Sequence, residues 1–300
     1  MSLLVVGSVA LDSVETPTDK RDDVLGGSAT FFSYAASYFT DVRLVGEVGE
    51  DWPAEHTKLL QSRRIDTAGL RIVPNAKTFR WRGRYLPNMN DRETLEVHLN
   101  VFESFNPKLS DEHRQTKFLF LANGSPVMQL GVLEQVQSPV LTVCDTMDLW
   151  INIQKDALLT LLRRIDGIVL NDSEAKLLTG TENLVQAGRK VLELGPKFVV
   201  LKKGEHGAMF FTADETFVMP AFPTPNVVDP TGAGDSFAGG MMGYLTSQGK
   251  YDAATLKTAL AYGTIVASYN VEDFSLERMK RIERADVDRR LAEYRKMLSF

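Results

Sequence analysis

The sequence predicts an α/β fold in which buried strands alternate with helices. The first observation is a set of short, continuous apolar runs, which are typical of strands buried on both faces of a sheet. The second is that helical segments separate these runs in a βαβα order from residue 118 onward. The third is size, because 300 residues that are 44% hydrophobic fit one large α/β domain with an appendage. The apolar runs are Leu3–Val6, Phe118–Leu121, Val140–Cys144, Gly167–Leu170 and Phe198–Leu201.

Charge and cysteine content argue against several classes of function. The 34 basic and 39 acidic side chains give a net charge of −5 without a basic stripe, which disfavours nucleic acid and membrane surfaces as partners. The only cysteine is Cys144, so no disulfide can form within the chain and a cytoplasmic location is expected. No apolar run approaches the roughly 20 residues that a membrane span needs. Residues 1–10 lack the basic segment of a signal peptide.

The most informative stretch is Val227–Leu245, where a glycine-rich turn leads directly into an apolar helix. Gly232 and Gly234 allow the backbone to approach a ligand closely. The unpaired N–H groups and the dipole at the start of the helix favour an anion, typically a phosphate. Asp235 is then a carboxylate beside an anion site, where a phosphate-transfer enzyme needs a base to take the proton of the attacking hydroxyl. The alternative is a plain turn before a buried helix, with Asp235 suited to the helix dipole.

The longer string D-P-T-G-A-G-D-S-F-A-G-G, residues 229–240, is more specific than the turn alone. It resembles the C-terminal signature of the ribokinase-like (PfkB) carbohydrate kinase family, D-[TP]-[TV]-G-A-G-D-x-F. The resemblance implies that Asp235 is the catalytic base. The turn before it, Gly232-Ala233-Gly234, would be the anion hole for the transferred phosphoryl group. The resemblance extends over nearly the whole chain, since further family motifs occur in the expected order.

The N-terminal residues carry the expected acceptor site. Leu25–Ser28 precedes a predicted helix, and the pair Gly26-Gly27 matches the family's N-terminal G-G signature, with a plain turn as the alternative. Asp12 follows the first strand and would by itself be a loop or cap residue; the resemblance implies that it hydrogen-bonds sugar hydroxyls. Phe31 stands where family members that bind simple sugars often have Asn, which favours a bulkier acceptor.

The segment Asn171–Glu174 follows a predicted strand and begins a helix. As plain sequence, Ser173 or Asp172 would cap that helix. The spacing Asn-x-x-Glu also matches the family's second phosphate and metal motif, which implies that Asn171 and Glu174 hold Mg²⁺, largely through water. Two polar residues suffice, because Mg²⁺ keeps several of its waters.

The turn at residues 202–207, K-K-G-E-H-G, is expected to join two strands of a hairpin. In the family this G-x-x-G lines the ribose and phosphates of the nucleotide, and Lys202 or Lys203 would face a phosphate. The end of the long helix predicted over Ala253–Tyr269 would flank the adenine. The residues that the resemblance assigns to ATP are Asn171, Lys202, Gly204, Gly207, Thr231, Gly263 and Asn270.

Two stretches alternate between apolar and polar residues and predict a β-hairpin, Thr78–Tyr85 and Thr94–Val101. In the first, aromatic residues alternate with arginines, so one face is apolar and the other is charged. The pattern alone indicates an edge or dimerisation hairpin. The resemblance implies a small β-lid over the substrate, from segments near 12–25 and 76–101. Both readings can hold, which allows a homodimer through the lid. Aromatic lid residues would suit something flat and apolar, such as a nucleobase.

The resemblance implies a ribokinase-like, doubly wound, mainly parallel sheet flanked by helices, within a single domain of residues 1–300. It also implies a kinase that uses ATP and Mg²⁺ and transfers the γ-phosphate to a primary hydroxyl. The expected acceptor is a small sugar or sugar-containing molecule, with a nucleoside as the alternative within the family. The alternative from another class is a non-catalytic ligand-binding regulator, against which the presence of Asp235 argues.

Overall fold

A nine-stranded sheet forms the centre of the protein, whose computed structural model describes residues 2–299. From one edge to the other, its strands are β13 (Thr216–Met219), β12 (Ala208–Phe211), β11 (Phe198–Lys202), β10 (Gly167–Asn171), β9 (Leu141–Asp145), β8 (Phe118–Leu121), β1 (Ser2–Val6), β4 (Asp41–Gly49) and β5 (Ile65–Val73).

The strands from β11 to β5 run parallel to their neighbours, whereas β12 and β13 are antiparallel at one edge. The predicted mainly parallel sheet is therefore confirmed. The one shift of consequence is in β9, which was expected over Val140–Cys144 and begins and ends one residue later. Asp145 therefore belongs to the strand, at its carboxyl end.

Both faces of this sheet are covered, as the alternation of buried residues in β1 shows. Leu3 and Val5 pack into the hydrophobic cluster on one face, and Leu4 and Val6 pack into the cluster on the other. A strand with no solvated face has no position for a polar residue, which explains its continuous apolar run. The helices are α1 (Ser28–Ala36), α2 (Ala54–Gln61), α3 (Asp111–Arg114), α4 (Pro126–Leu133), α5 (Asp148–Ile153), α6 (Lys155–Leu162), α7 (Asp172–Thr179), α8 (Leu184–Glu193), α9 (Ala233–Gln248), α10 (Ala253–Asn270) and α11 (Arg284–Leu298).

Helix α9 packs closely against both α1 and α10 on the face that carries Leu3 and Val5. A methyl group on Gly239 of α9 would come within 2.3 Å of the Phe32 carbonyl oxygen of α1, so only glycine permits this approach. The contact fixes where the N-terminus of α9 lies. None of the helices within residues 2–299 is both long enough and apolar enough to cross a membrane.

A second sheet contains four strands in the order β3 (Lys20–Gly26), β2 (Ala10–Glu15), β6 (Phe79–Tyr85) and β7 (Arg92–His98). It includes residues of both segments in which the sequence predicts the lid, and we call it the lid sheet. Asp12, expected just beyond the first strand, lies inside β2. That the lid sheet closes over a substrate stays a prediction.

The two faces of the lid sheet differ as the alternating pattern predicts. Asp12 pairs with Trp81, and Trp81 pairs with Val97, so these three side chains share one face, which we call the inner face. The arginines between the aromatic residues of β6 point to the other face and are all ion-paired. The pairs are Arg80 with Asp23 and Asp51, Arg82 with Asp22 and Glu96, and Arg84 with Glu15.

Candidate active site

The candidate site lies where the N-terminus of α9 meets the carboxyl ends of β9, β10 and β11. These strands are parallel neighbours, so they end at the same edge of the sheet: Asn171 pairs with Lys202, and Asp145 pairs with Val169, two residues before Asn171. This edge of a parallel sheet is where α/β proteins bind ligands.

Residues 229–235 form the anion turn. Asp229 is fully buried, and its Oδ1 accepts a hydrogen bond from the Thr231 amide at 2.8 Å. Gly232 follows with φ at +75°, a conformation that favours glycine, and α9 begins at the next residue. Within residues 2–299, the amides of Gly232 and Gly234 have no hydrogen-bond acceptor. Two donors therefore remain available at a helix N-terminus, as the predicted anion hole requires.

Asn270 holds the anion turn from the protein interior. It is fully buried; its Nδ2 donates to the Thr231 carbonyl oxygen at 2.8 Å, and its Oδ1 accepts from Ser236 Oγ at 2.8 Å. A methyl group on Gly263 would come within 2.6 Å of the Phe237 carbonyl oxygen, so this glycine allows α10 to pack against α9. Both residues thus have structural roles, and their predicted contact with adenine stays a prediction.

Two side chains lie directly against the glycines of the anion turn. A methyl group on Gly232 would come within 2.3 Å of the Phe31 ring, and one on Gly234 within 2.9 Å of Lys202 Nζ. Phe31, predicted to line the acceptor site, has only 2% of its surface exposed, so its ring supports the turn from beneath. Its contact with an acceptor stays a prediction.

A cluster of charged side chains surrounds Asp235, which lies in the first turn of α9 and is part-exposed. Burial and the nearby Asp145 raise the pKa of Asp235 from 3.8 to about 7, against the lowering effect of Lys202. Lys202 Nζ lies 3.7 Å from Asp145 Oδ2. Burial disfavours the charge of Lys202, but Asp145, Glu174 and Asp235 outweigh it and raise its pKa. The ammonium group is therefore kept protonated between carboxylates.

Asn171 and Glu174 form a reciprocal cap at the start of α7. Asn171 Oδ1 accepts from the Glu174 amide at 2.8 Å, and Glu174 Oε2 accepts from the Asn171 amide at 2.7 Å. The expectation that Ser173 or Asp172 caps this helix was wrong, because Asn171 precedes them in the capping position. Burial raises the pKa of Glu174 to about 7, although Lys202 lowers it.

Asp12 connects the inner face of the lid sheet to the start of α1. Its Oδ2 accepts from the Gly27 amide at 3.3 Å. A methyl group on Gly26 would come within 2.0 Å of the same oxygen, and Gly27 has φ at +93°, so both glycines are required by this geometry. Burial, opposed by the Gly27 hydrogen bond and reinforced by Asp229 and Asp235, raises the pKa of Asp12 to about 7.

The predicted hairpin turn at residues 202–207 is confirmed, since β11 and β12 pair antiparallel around it. Gly204 and Gly207 both have positive φ, at +54° and +81°. The turn of the lid hairpin reaches it, because Asn90 Nδ2 donates to Glu205 Oε1 at 3.0 Å. The lid sheet and this turn are therefore in direct contact.

The sequence interpretation missed three residues of this region. Asp145 gave a signal, because it follows an apolar strand and matches part of a family pattern. Tyr85 and Asn90 gave no signal in the sequence, because their contacts depend on how the lid sheet meets the main sheet. The Tyr85 hydroxyl lies 3.3 Å from Thr231 Oγ1, and Asn90 contacts Glu205.

Comparison with known proteins tests the family and the class of activity that the sequence predicts. Residues 4–280 match the family model described as pfkB family carbohydrate kinase. The chain belongs to the pfkB family. This pfkB-family protein is a phosphotransferase that acts on a hydroxyl of a sugar or nucleoside, as the glycine motif predicted, and the non-catalytic alternative is not supported.

Individual relatives agree with the family. A cytidine kinase of Thermococcus kodakarensis is 29% identical over 250 residues, which cover 81% of this chain and 87% of that protein. The nucleoside kinase of Methanocaldococcus jannaschii superposes with a TM-score of 0.79 at 20% identity, over 97% of this chain and 98% of that one. An E. coli structure described as a ribokinase II with ATP and Mg²⁺ gives 0.79 at 19% identity, over 97% and 99%. These structures confirm the predicted ribokinase-like fold.

The two glycines of the anion turn should respond differently to alanine. Gly232→Ala places Cβ against the buried Phe31 ring at positive φ, which costs roughly 1–2 kcal/mol for the backbone alone, so its free energy of unfolding should fall. Gly234→Ala meets only the flexible end of Lys202, and alanine is favoured in a helix by about 1 kcal/mol. It should stay folded yet bind ATP roughly tenfold more weakly, since Lys202 is displaced.

Denaturant unfolding and titration calorimetry with ATP measure the two effects. Gly131→Ala in α4 is the matched control, because a Cβ there meets no atom closer than 3.7 Å. Equal loss of stability in Gly232→Ala and Gly234→Ala would contradict this account of the turn.

Proposed function

We propose that the protein transfers the γ-phosphoryl group of ATP to a primary hydroxyl of a sugar-containing small molecule, with Asp235 as the general base. The observation that carries the proposal is the position of Asp235. Its part-exposed carboxylate follows directly after two amides, those of Gly232 and Gly234, that lack an acceptor within residues 2–299. A base and a set of donors for developing negative charge are thus adjacent.

In the proposed step, the acceptor hydroxyl gives its proton to Asp235. The acceptor oxygen forms a bond to the γ-phosphorus as the bond from that phosphorus to the leaving oxygen of ADP breaks. The charge on the phosphoryl oxygens is met by the amides of the anion turn and by the ammonium group of Lys202. A base with a pKa of about 7 suits this role, since the proton is taken efficiently near neutral pH.

The residues present fit Mg²⁺. Asp145, Glu174 and Asp235 surround a single lysine, Lys202, so the cluster has an excess of negative charge. Among residues 2–299, no group of three His, Cys, Asp or Glu side chains forms a complete metal site. Mg²⁺ suits such a place because it takes few protein ligands and binds nucleotide phosphates. Glu174 and Asn171 would hold it through water, and when bound it neutralises phosphate charge.

The inner face of the lid sheet favours a nucleoside as the acceptor. A methyl group on Gly83 would come within 2.1 Å of the Trp81 ring, so the indole lies flat across this glycine. Trp81 Nε1 donates to Thr94 Oγ1 at 3.3 Å, and the adjacent Val97 is 47% exposed. A flat apolar surface beside Asp12 suits a nucleobase whose sugar reaches the carboxylate. The relative named cytidine kinase, aligned over 250 residues, supports the same class.

A simple sugar such as ribose is the second candidate, because Asp12 alone suits sugar hydroxyls. A homodimer through the lid sheet and a cytoplasmic location also stay predictions. The outer face of the lid sheet is covered by ion pairs, so a dimer there would be a polar one.

Asp235→Asn should lower kcat by about 10²–10⁴-fold, because the general base is removed. The fold should be retained, since Asn keeps the shape of the side chain. Coupled ADP-release assays with cytidine and with ribose measure the loss, and thermal unfolding tests the fold. Asp148→Asn, an exposed first-turn carboxylate of α5, is the control and should keep full activity. Full turnover by Asp235→Asn would refute the assignment.

The pH profile of kcat/KM should have an acid limb near pH 7. Burial raises the pKa of Asp235 to about 7, so the protonated, inactive form dominates below that pH and the rate falls about tenfold per unit. Above pH 7 the carboxylate is ionised and the profile should level off. A limb centred near 3.8, the ordinary value for Asp, would show that the active base is not in this environment.

Trp81→Ala should lower kcat/KM for cytidine by roughly 5- to 150-fold, because stacking on a base contributes about 1–3 kcal/mol. Activity with ribose should change little, since ribose lacks the base that would stack on the indole. Trp81→Phe should retain part of the cytidine activity. A parallel loss with both acceptors, or no loss with cytidine, would argue against a nucleobase at this position.

A further inference from the structure

Among residues 2–299, the arginines of the lid sheet differ in whether they have a partner. Arg21, Arg80, Arg82 and Arg84 each form an ion pair with a nearby carboxylate. Arg92, the first residue of β7, forms no ion pair or side-chain hydrogen bond with any of residues 2–299. Its full positive charge is therefore available to a ligand.

Arg92 lies on the inner face of the lid sheet, next to the residue that contacts the anion turn. It pairs with Tyr85 across the hairpin, so both side chains point to the same face. The Tyr85 hydroxyl lies 3.3 Å from Thr231 Oγ1, in the anion turn. On the other side, Asn90 is hydrogen-bonded to Glu205 of the 202–207 turn. Arg92 thus lies between two contacts that join the lid sheet to the rest of the site, Tyr85 with Thr231 and Asn90 with Glu205.

The charge of Arg92 reaches the catalytic cluster. It lowers the pKa of Asp235 and of Glu174, and it disfavours protonation of Lys202. These three groups belong to α9, α7 and β11, which converge only at the site. A cation that acts on all three lies within electrostatic range of the space between them, where the phosphates would lie.

We propose that Arg92 is a catalytic residue that the lid sheet carries to the transferred phosphoryl group; this rests on the proposed function. A guanidinium group can donate two parallel hydrogen bonds to phosphoryl oxygens. In the loose transition state, charge spreads over three equatorial oxygens. The anion turn and Lys202 meet this charge from the side of the main sheet, and Arg92 meets it from the side of the lid sheet.

An unpaired arginine suits this role better than a paired one. Arg84, on the outer face of the same hairpin, is already neutralised by Glu15. Arg92 has no such partner in the part of the chain that the structure describes, so its binding to a phosphoryl oxygen breaks no ion pair there. The Asn90–Glu205 contact would hold it in place, so phosphoryl transfer would depend on the closed position of the lid sheet.

The test compares Arg92→Ala and Arg92→Lys with Arg84→Ala as the matched control. Arg92→Ala should lower kcat by about 10³-fold, the effect of an arginine that contacts the transferred group, with a smaller change in KM for the acceptor. Arg92→Lys should recover part of the loss, and added guanidinium chloride should partly rescue Arg92→Ala but not Asp235→Asn. Arg84→Ala should keep its kcat, and all variants should unfold at similar temperatures.

Calorimetric titration with ATP and with ADP gives a readout that needs no acceptor. Arg92→Ala should bind ATP about tenfold more weakly and bind ADP unchanged, because only ATP carries the γ-phosphoryl group. Unchanged kcat and unchanged ATP affinity in Arg92→Ala, while Asp235→Asn is inactive, would overturn this proposal and leave the proposed function standing. Failure of the wild-type protein to phosphorylate any sugar or nucleoside would instead overturn the proposed function.

Discussion

The site depends on a turn whose backbone is fixed from beneath, so that the amides of Gly232 and Gly234 have no acceptor among residues 2–299. Asp229 accepts the Thr231 amide, and Asn270 binds the carbonyl oxygen of the same residue. With these groups satisfied internally, the chain enters α9 in one conformation and presents the next donors to the cleft. The close contact of α9 with α1 sets the position of that entry. Preorganised donors of this kind stabilise charge without reorganising during the reaction.

The pKa values of the charged side chains around the turn depend on burial and on the neighbouring charged groups. Asp145, Glu174 and Asp235 share a low-dielectric region with one lysine, which keeps Lys202 protonated and raises the pKa of Asp235. A carboxylate in water would be a weak base at neutral pH, whereas a buried one beside other carboxylates holds a proton more firmly. The same excess of negative charge makes the region a place for a cation or a cationic side chain.

The sequence predicted the family, the fold and the phosphotransferase class because the residues that indicate them are local. The glycine turn, the proposed base Asp235 and the helix lie within residues 229–248, and apolar runs mark the strands whether or not their order is known. The contacts of the lid sheet could not be predicted in this way. Tyr85 meets Thr231 across 146 residues, and which face of β6 it occupies depends on strand register. The capping role of Asn171 was also missed. Asn171 was interpreted as a Mg²⁺ ligand, and the cap was assigned to Asp172 or Ser173 instead.

The lid sheet and the nine-stranded sheet are separate hydrogen-bonded units, and this division has an evolutionary consequence. Residues that would choose the acceptor lie mainly on the lid sheet, whereas those that would handle the phosphates, apart from Arg92, lie on the nine-stranded sheet and at the start of α9. Mutation of the lid sheet at positions other than Arg92 can therefore alter which alcohol is accepted while the machinery for breaking the phosphoanhydride is inherited intact. One scaffold can in this way diversify into many kinases by changing a small, peripheral part of the chain.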